Sequence, residues 1–399
     1  MDTTSRLPGS LATKTRFSGR QAGPSLSAPT SPEAPPPAGE THLDRAALSQ
    51  LNLVVVGAGA LGNEVVKTLG LLGAGSVLIV DPDIVEKSNL SRSAFFRARD
   101  CGQPKALALI EALAQAFPET RWQSRQCEIA DLGLGELANC HLLMSCVDSD
   151  IARVEIAWAG LAMNLPVVDA GLGAPNHWHG RISFFAGHRS ACFCCKLSPR
   201  RRQQILFMAH ATAQSCWGAH QAQLLASTPT MAAITGSLQV ELGLRSFFEL
   251  RQSSGKEFLS WTFEASFGPD PETRRFSTPR SPHCPLHVSI PELRPLPHAQ
   301  ASARELLDST GLATVELDWP ICVYAGCLDC GTVWQPRRRV AWLRRYGACP
   351  QCRGRHILEK ENLNCLDRDS SWADTPLIDL GLPDRHLYTV RPSQAGERK

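Results

Sequence analysis

Short apolar runs alternate with stretches of helical period through the first half of the chain. Residues 53–56 are one leucine and three valines in succession, which predicts a buried strand. Gly57-Ala58-Gly59-Ala60-Leu61-Gly62 follows, and across residues 63–72 the apolar side chains recur at helical spacing. A second apolar run, residues 77–80, ends at Asp81. Strand, glycine turn, helix, strand and acid in that order make a nucleotide-binding βαβ unit. Gly57, Gly59 and Gly62 let backbone N–H groups approach a phosphate at a helix N-terminus, and Asp81 stands where an acid accepts ribose hydroxyls. A glycine turn used only for helix–strand packing is the plainer alternative, and the strands on both sides argue against it.

The alternation continues with a helix from Lys105 to about Phe117, strands near residues 122–129 and 141–147, and a helix near 151–163. Further strands are expected at 166–169 and 180–186. The pattern predicts an α/β fold, a Rossmann-like doubly wound and largely parallel sheet with right-handed crossovers. Ligand groups should then gather at the strand C-terminal ends, where Gly57, Asp81 and Asp148 fall.

Composition narrows the setting. A chain of 399 residues, 43% hydrophobic and 20% charged, has room for one large α/β domain and a smaller appendage. A net charge of +3 is too small to argue for nucleic acid as a partner. No apolar stretch has the length of a membrane span and the N-terminus lacks a signal peptide's apolar core, so a cytoplasmic location is expected. Fifteen cysteines in such a chain read as metal ligands more readily than as a disulfide framework.

Cys327, Cys330, Cys349 and Cys352 have the C-x2-C-x18-C-x2-C spacing of a zinc ribbon, in which a structural metal replaces a core too small to fold alone. Between the knuckles, Trp334, Arg337, Arg338, Arg339, Trp342, Arg344 and Arg345 mix basic and aromatic side chains. They could form a docking face for a protein partner, the better reading on a nearly neutral chain, or for nucleic acid through phosphate contacts and stacking, or simply cover a small domain with long arginines. The expected organisation is a Pro/Ser-rich disordered leader over 1–40, a nucleotide-binding α/β domain over 41–290, a linker over 291–318, the ribbon over 319–358 and a tail over 359–399.

Three longer motifs surround the βαβ unit. Asp81-Pro82-Asp83-Ile84-Val85-Glu86-Lys87-Ser88-Asn89-Leu90-Ser91-Arg92 extends the second strand, Gly102-Gln103-Pro104-Lys105 precedes the next helix, and Cys146-Val147-Asp148-Ser149-Asp150 leads to Arg153. With these motifs the chain resembles the ubiquitin-activating-enzyme superfamily, which includes the ThiF and MoeB adenylyltransferases, over about residues 51–248. The resemblance implies that a carboxylate attacks the α-phosphate of ATP. Arg92 and Lys105 would supply positive charge, Asn89 would orient phosphates, Asp81 and Asp83 would lie at the nucleotide, and Asp148 would hold Mg²⁺. For Asp148 the plainer reading is a helix N-cap.

The same resemblance implies a second structural Zn²⁺ site. Cys192 and Cys195 match its first half, and Cys284 with His287 is assigned as the second, a Cys3His set in which Cys194 and His283 compete for places. Cys216 is the positional candidate for a nucleophile that takes over the activated carboxylate, with an incidental cysteine as the alternative. Arg45 is a weak match to an arginine that reaches the partner's ATP in dimeric members, and Arg200, Arg201 and Arg202 read as solvated. The implied partners are a small ubiquitin-like or sulfur-carrier protein, a downstream conjugating or sulfur-transfer protein, and a second copy of the chain. Three other readings stand beside this one: a peptide-adenylating enzyme of the same superfamily, an inactive binding module on the adenylation fold, and a nicotinamide-dependent oxidoreductase. The last leaves Asn89, Arg92, Lys105 and Asp148 unexplained.

Overall fold

The computed structural model describes residues 44–173, 178–210, 228–253, 259–287 and 293–392. A short helix, α1 (Arg45–Leu48), precedes β1 (Asn52–Val56), α2 (Ala60–Leu72) and β2 (Ser76–Val80). Then come α3 (Lys105–Ala116), β3 (Arg121–Arg125), β4 (Leu142–Ser145), α4 (Asp150–Ala162), β5 (Val167–Leu172) and β6 (His179–Phe185). Two helices, α5 (Phe193–Lys196) and α6 (Pro199–His210), lead towards α7 (Pro229–Gln252), which is followed by β7 (Trp261–Ser266) and β8 (Glu272–Ser277).

These strands form one sheet in the order β3-β2-β1-β4-β5-β6-β7-β8. The first five run parallel, and β6, β7 and β8 are added antiparallel. The apolar runs of β1, β2 and β4 are buried because helices cover both faces: α2, α3 and α7 lie over one core, and α4 with α5 over the other. The expected strand near 122–129 stops at Arg125, and residues 129–131 turn away as a single 3₁₀ turn. β7 and β8 were not anticipated; β8 is exposed along its whole length, and Phe276 is its one apolar residue, so it carries little apolar signal.

A second, six-stranded sheet holds the C-terminal residues. β9 (Leu293–Pro295), α8 (Ala303–Thr310) and the long β10 (Thr314–Cys327) occupy the stretch expected to be a linker. They are followed by β11 (Val333–Trp334), β12 (Arg338–Arg339), α9 (Val340–Tyr346), β13 (Ile357–Asp367) and β14 (Leu387–Arg391). The linker expectation fails because Ala303, Leu306 and Leu307 of α8 pack on Val315, Ile321 and Leu366, giving these residues a core of their own. The expected tail is also built in. β13 pairs with β10 along its length, and β14 inserts between β10 and β9. The ribbon is therefore the far end of the β10–β13 hairpin and not a separate domain. The leader over 1–40 lies outside the described residues. Among the described residues no helix is long and apolar enough to cross a membrane.

Candidate functional site

The glycine turn is shaped by close backbone approaches. Gly57 has φ of 101°, and a Cβ there would stand 2.7 Å from the carbonyl oxygen of Cys146 on the neighbouring strand end. A Cβ on Gly62 would overlap the Gly57 carbonyl, and Gly59 is the N-cap of α2 with open space around it. Only glycine fits the two tight positions, and the result is a cradle of backbone at a helix N-terminus.

Asp81, at the end of β2, accepts the Ala58 N–H at 2.6 Å and the Asp83 N–H at 2.8 Å, so it pins the turn to the strand. Burial raises its carboxyl above the usual range, against the opposing pull of the Ala58 donor and Lys105. Asn63, which sequence reasoning passed over, completes the frame. Its amide donates to the carbonyls of Ala58 and Gly59 at 3.0 Å each, and its oxygen accepts from Phe95 N–H. Polarity alone marked it, since it stands on the buried face of α2.

The charged candidates divide into two kinds. Lys105 donates to Asp83 at 2.9 Å, and its own backbone N–H reaches the Asp83 carbonyl, so the two motifs meet. Asn89 is buried and accepts the Glu86 N–H at 3.0 Å, which commits its oxygen to holding the loop. Arg92 and Asp148 behave differently: the side chain of neither has a hydrogen bond or ion pair to any described residue, the Arg92 backbone N–H bonds the Asn89 carbonyl at 3.2 Å, and Asp148 is exposed. The N-cap of α4 is Ser149, whose hydroxyl accepts from Ala152 N–H, so capping does not occupy Asp148. Among the described residues the Arg92 guanidinium and the Asp148 carboxylate are thus left without side-chain partners, and Asp148 follows Val147, whose backbone borders Gly57.

Two further groups fix the strand ends around them. Arg153, nine-tenths buried, binds Asp169 at 3.1 Å and the Val147 carbonyl at 2.7 Å, next to Asp148. Gln239 of α7 donates to the carbonyls of Ser145 and Val168 at 2.9 and 3.0 Å. Arg153 belongs to a motif visible in the sequence, yet the roles of both are structural. Cys216 lies outside the described residues. Arg45 pairs with Glu119 at 2.6 Å and packs its guanidinium over Gly73, so within this chain it is directed away from the cradle.

Cys192, Cys195, Cys284 and His287 come together with their ligand atoms within 4.8 Å of one another, and so do Cys327, Cys330, Cys349 and Cys352. Cys192 Sγ lies 3.8 Å from Cys195 Sγ and 3.7 Å from Cys284 Sγ. Both ring nitrogens of His287 are buried without a partner, which is costly unless a ligand is bound there. Thiolates and an imidazole at these separations suit a tetrahedral Zn²⁺. The neighbouring thiols of Cys192, Cys194 and Cys195 hold Cys284 well below the usual thiol range, placing negative charge where a cation would sit. Arg202, expected to be solvated, is buried and donates to the carbonyls of Cys194, Leu197 and His283, fastening the two halves of this cluster. Arg201 is paired with Asp150 at 2.6 Å.

The glycine turn, the acid at the end of β2 and the strand-end motifs all fall within residues 36–286, which the ThiF family model matches; the chain belongs to that family. Among curated relatives, a sulfur carrier protein adenylyltransferase of Thermus thermophilus is 28% identical over 65% of this chain and 89% of its own length. A ubiquitin-like modifier-activating enzyme 5 of Dictyostelium discoideum is 29% identical over 37% of this chain, and the chain spans 42% of that relative's length. Solved structures of Escherichia coli MccB, one with ATP, match at a TM-score of 0.46 and 17% identity over 61% of this chain and 68% of theirs.

Proposed function

We propose that the protein is an ATP-dependent adenylyltransferase that activates the C-terminal carboxylate of a small ubiquitin-like or sulfur-carrier protein. A carboxylate oxygen attacks the α-phosphorus of ATP, the bond to the β-phosphate oxygen breaks, and pyrophosphate leaves with its electron pair. Family membership and the curated relatives support the reaction class. The observation that carries it is the pair of side chains left without partners among the described residues, Arg92 and Asp148, with Lys105 held on Asp83. A hydride-transfer site has no use for a free cation and carboxylate at the phosphates, whereas charge building on the α-phosphate oxygens does.

In this reading the Gly57–Gly62 cradle holds phosphate, Asp81 and Asp83 lie at the ribose side, and Asn89 keeps the loop in place so that Arg92 faces the phosphates. Asp148 would hold Mg²⁺, which neutralises phosphate charge when bound. The two cysteine clusters would hold structural Zn²⁺. A following transfer to a thiol would use Cys216, and a second copy of the chain would complete a homodimer.

ATP–pyrophosphate exchange with ubiquitin-like and sulfur-carrier proteins tests the reaction. Asp148→Ala should lower exchange about 100-fold or more while leaving the melting temperature unchanged, because Asp148 makes no structural contact. Exchange at the wild-type rate in that variant would sink the site assignment, and failure of every carrier alongside success with a short peptide would move the substrate class.

A further inference from the structure

Beyond the last parallel strand, the sheet carries a guanidinium without a counter-charge. β6 runs antiparallel to β5 and sets Arg181 opposite Gly171, near the C-terminal end of β5, the edge of the sheet where the glycine turn and Asp148 lie. On one face of β6, α7 packs so closely that a Cβ on Gly180 would stand 2.4 Å from Thr235 Oγ1. Side chains alternate along a strand, so Arg181 and Ser183 lie on the other face, with Phe185 and the core of α4 and α5. Gly171 leaves room there: a Cβ would stand 3.0 Å from Arg153 Nη2 and 3.8 Å from Arg181 Nη2. The same Arg153 nitrogen donates to the Val147 carbonyl at 2.7 Å, and a Cβ on Gly57 would stand 3.3 Å from Val147 N. Consecutive contacts therefore run from the glycine turn through Val147 and Arg153 to Arg181.

Charge on this face is unbalanced. Arg153 has Asp169 at 3.1 Å. Glu264 pairs with Arg181 in strand register, yet its carboxylate accepts from Arg274 Nε at 2.7 Å. The Arg181 side chain has no hydrogen bond or ion pair to any described residue, and its Nε is buried without a partner. Lys196 of α5 donates to the Ser183 hydroxyl and pairs with no carboxylate among the described residues. A buried donor left open is costly, and so are neighbouring cations without counter-charge. An anion seated beside them removes both costs.

Distance decides which anion. Asp148 follows β4, and Arg181 stands two strands further along the sheet. Strands lie about 4.8 Å apart, so roughly 10 Å separates the two positions, a span that about three extended residues cover. A terminal carboxylate reacting beside Asp148 is too far from Arg181, whereas a side chain about three residues before it is within reach. Resting on the adenylation reading, we propose that Arg181, with Lys196 beside it, is a specificity-determining residue that seats an acidic side chain in the substrate's C-terminal tail. The substrate then carries Asp or Glu shortly before the activated carboxylate, and a basic residue there is rejected.

The test is ATP–pyrophosphate exchange with a sulfur-carrier protein in versions that carry Glu, Gln or Lys at the second, third or fourth residue before the C-terminal one. At one of these positions the wild type should prefer Glu to Lys by about tenfold or more in the KM for the carrier, with kcat within about twofold. Arg181→Gln should bring the three tails to within about twofold of one another, and Arg181→Glu should invert their order. Loss of packing alone produces no inversion. Melting temperatures are read beside the kinetics, and Arg181→Met, of similar length, stands in if Arg181→Gln does not fold. A wild type that takes all tails alike, or a folded Arg181→Gln or Arg181→Met chain that keeps the preference, overturns the proposal alone. So does a rise in the KM for ATP that is equal for every tail, which would make the anion a nucleotide phosphate. Absence of exchange with every tail sinks the adenylation reading itself, and the proposal with it.

Discussion

The two cysteine clusters use similar ligands in opposite settings. Cys192, Cys284 and His287 are buried and Cys195 is half-buried, inside the core that α4 and α5 make with the sheet. In the ribbon, Cys327 and Cys349 are buried but Cys330 and Cys352 are exposed, and the local core is only Cys322, Ala325, Val340 and Leu343 with Trp334 and Ile357 beside them. The first cluster joins Cys192 to Cys284 across 92 residues of chain, and the second spans 25 between Cys327 and Cys352. One metal would cross-link a large core over a long loop, and the other would stand in for a core that is missing. The comparison teaches that ligand type does not set a cluster's structural weight; the surrounding burial does.

The sharpest way to break that comparison is to remove one ligand from each. Cys284→Ser leaves a buried hydroxyl among thiols and an unpartnered His287, and should abolish the cooperative unfolding transition of the nucleotide unit, read by circular dichroism. Cys352→Ser should release one equivalent of metal, read by atomic absorption, and keep that main transition. A Cys284→Ser protein melting with the wild type would show that the buried cluster carries no more weight than the exposed one.

The seam between the units comes next in size. Arg339→Met leaves Glu128, Asp131 and buried Glu155 without their shared cation and should cost about 3–5 kcal/mol in urea unfolding. A loss below about 1 kcal/mol would mean that the backbone contacts of Gly133 and Gly135 with Asp384 and Arg385 hold the units together by themselves.

These regions also differ in how far the sequence announced them. β1, α2 and β2 were legible because period and glycine placement are local signals, and the ribbon because its four cysteines keep a fixed spacing. Asp148, Arg92 and Lys105 came from motif, and the geometry adds that Ser149 takes the cap and leaves Asp148 free. What escaped reading depends on partners far along the chain. Arg339 lay in a run read as a surface face, and its three carboxylates lie more than 180 residues away. Arg202 was likewise read as solvated, because nothing local says that the His283 carbonyl will arrive beside it. The stretch before β10 was expected to be a linker and the tail was given no role for the same reason: β14 finds its place only between β10 and β9, and the hydrophobic residues of α8 gain meaning only against Val315 and Leu366.

The smallest predicted effect separates a seam built of charge from cores built of apolar surface. Burial, with Glu128 and Asp131 adding to it and Arg339 opposing, raises Glu155 from 4.5 to about 7. Three carboxylates share the buried Arg339 guanidinium, so a retained proton is the expected compromise. The native state then holds a proton that the unfolded chain has released between about pH 4.5 and 7. Native protein binding more protons means that stability falls as pH rises through that window; the contribution is complete below it and gone above it. Glu155→Gln stays neutral throughout and escapes this loss. Relative to wild type it should gain about 1–3 kcal/mol in urea unfolding between pH 5 and pH 8. Metal binding to the cysteine clusters also varies with pH, but it is common to both proteins and cancels in the difference. A difference that stays flat from pH 5 to pH 8 would mean that Arg339 keeps Glu155 ionised throughout, and that the seam responds to pH no more than the apolar cores do.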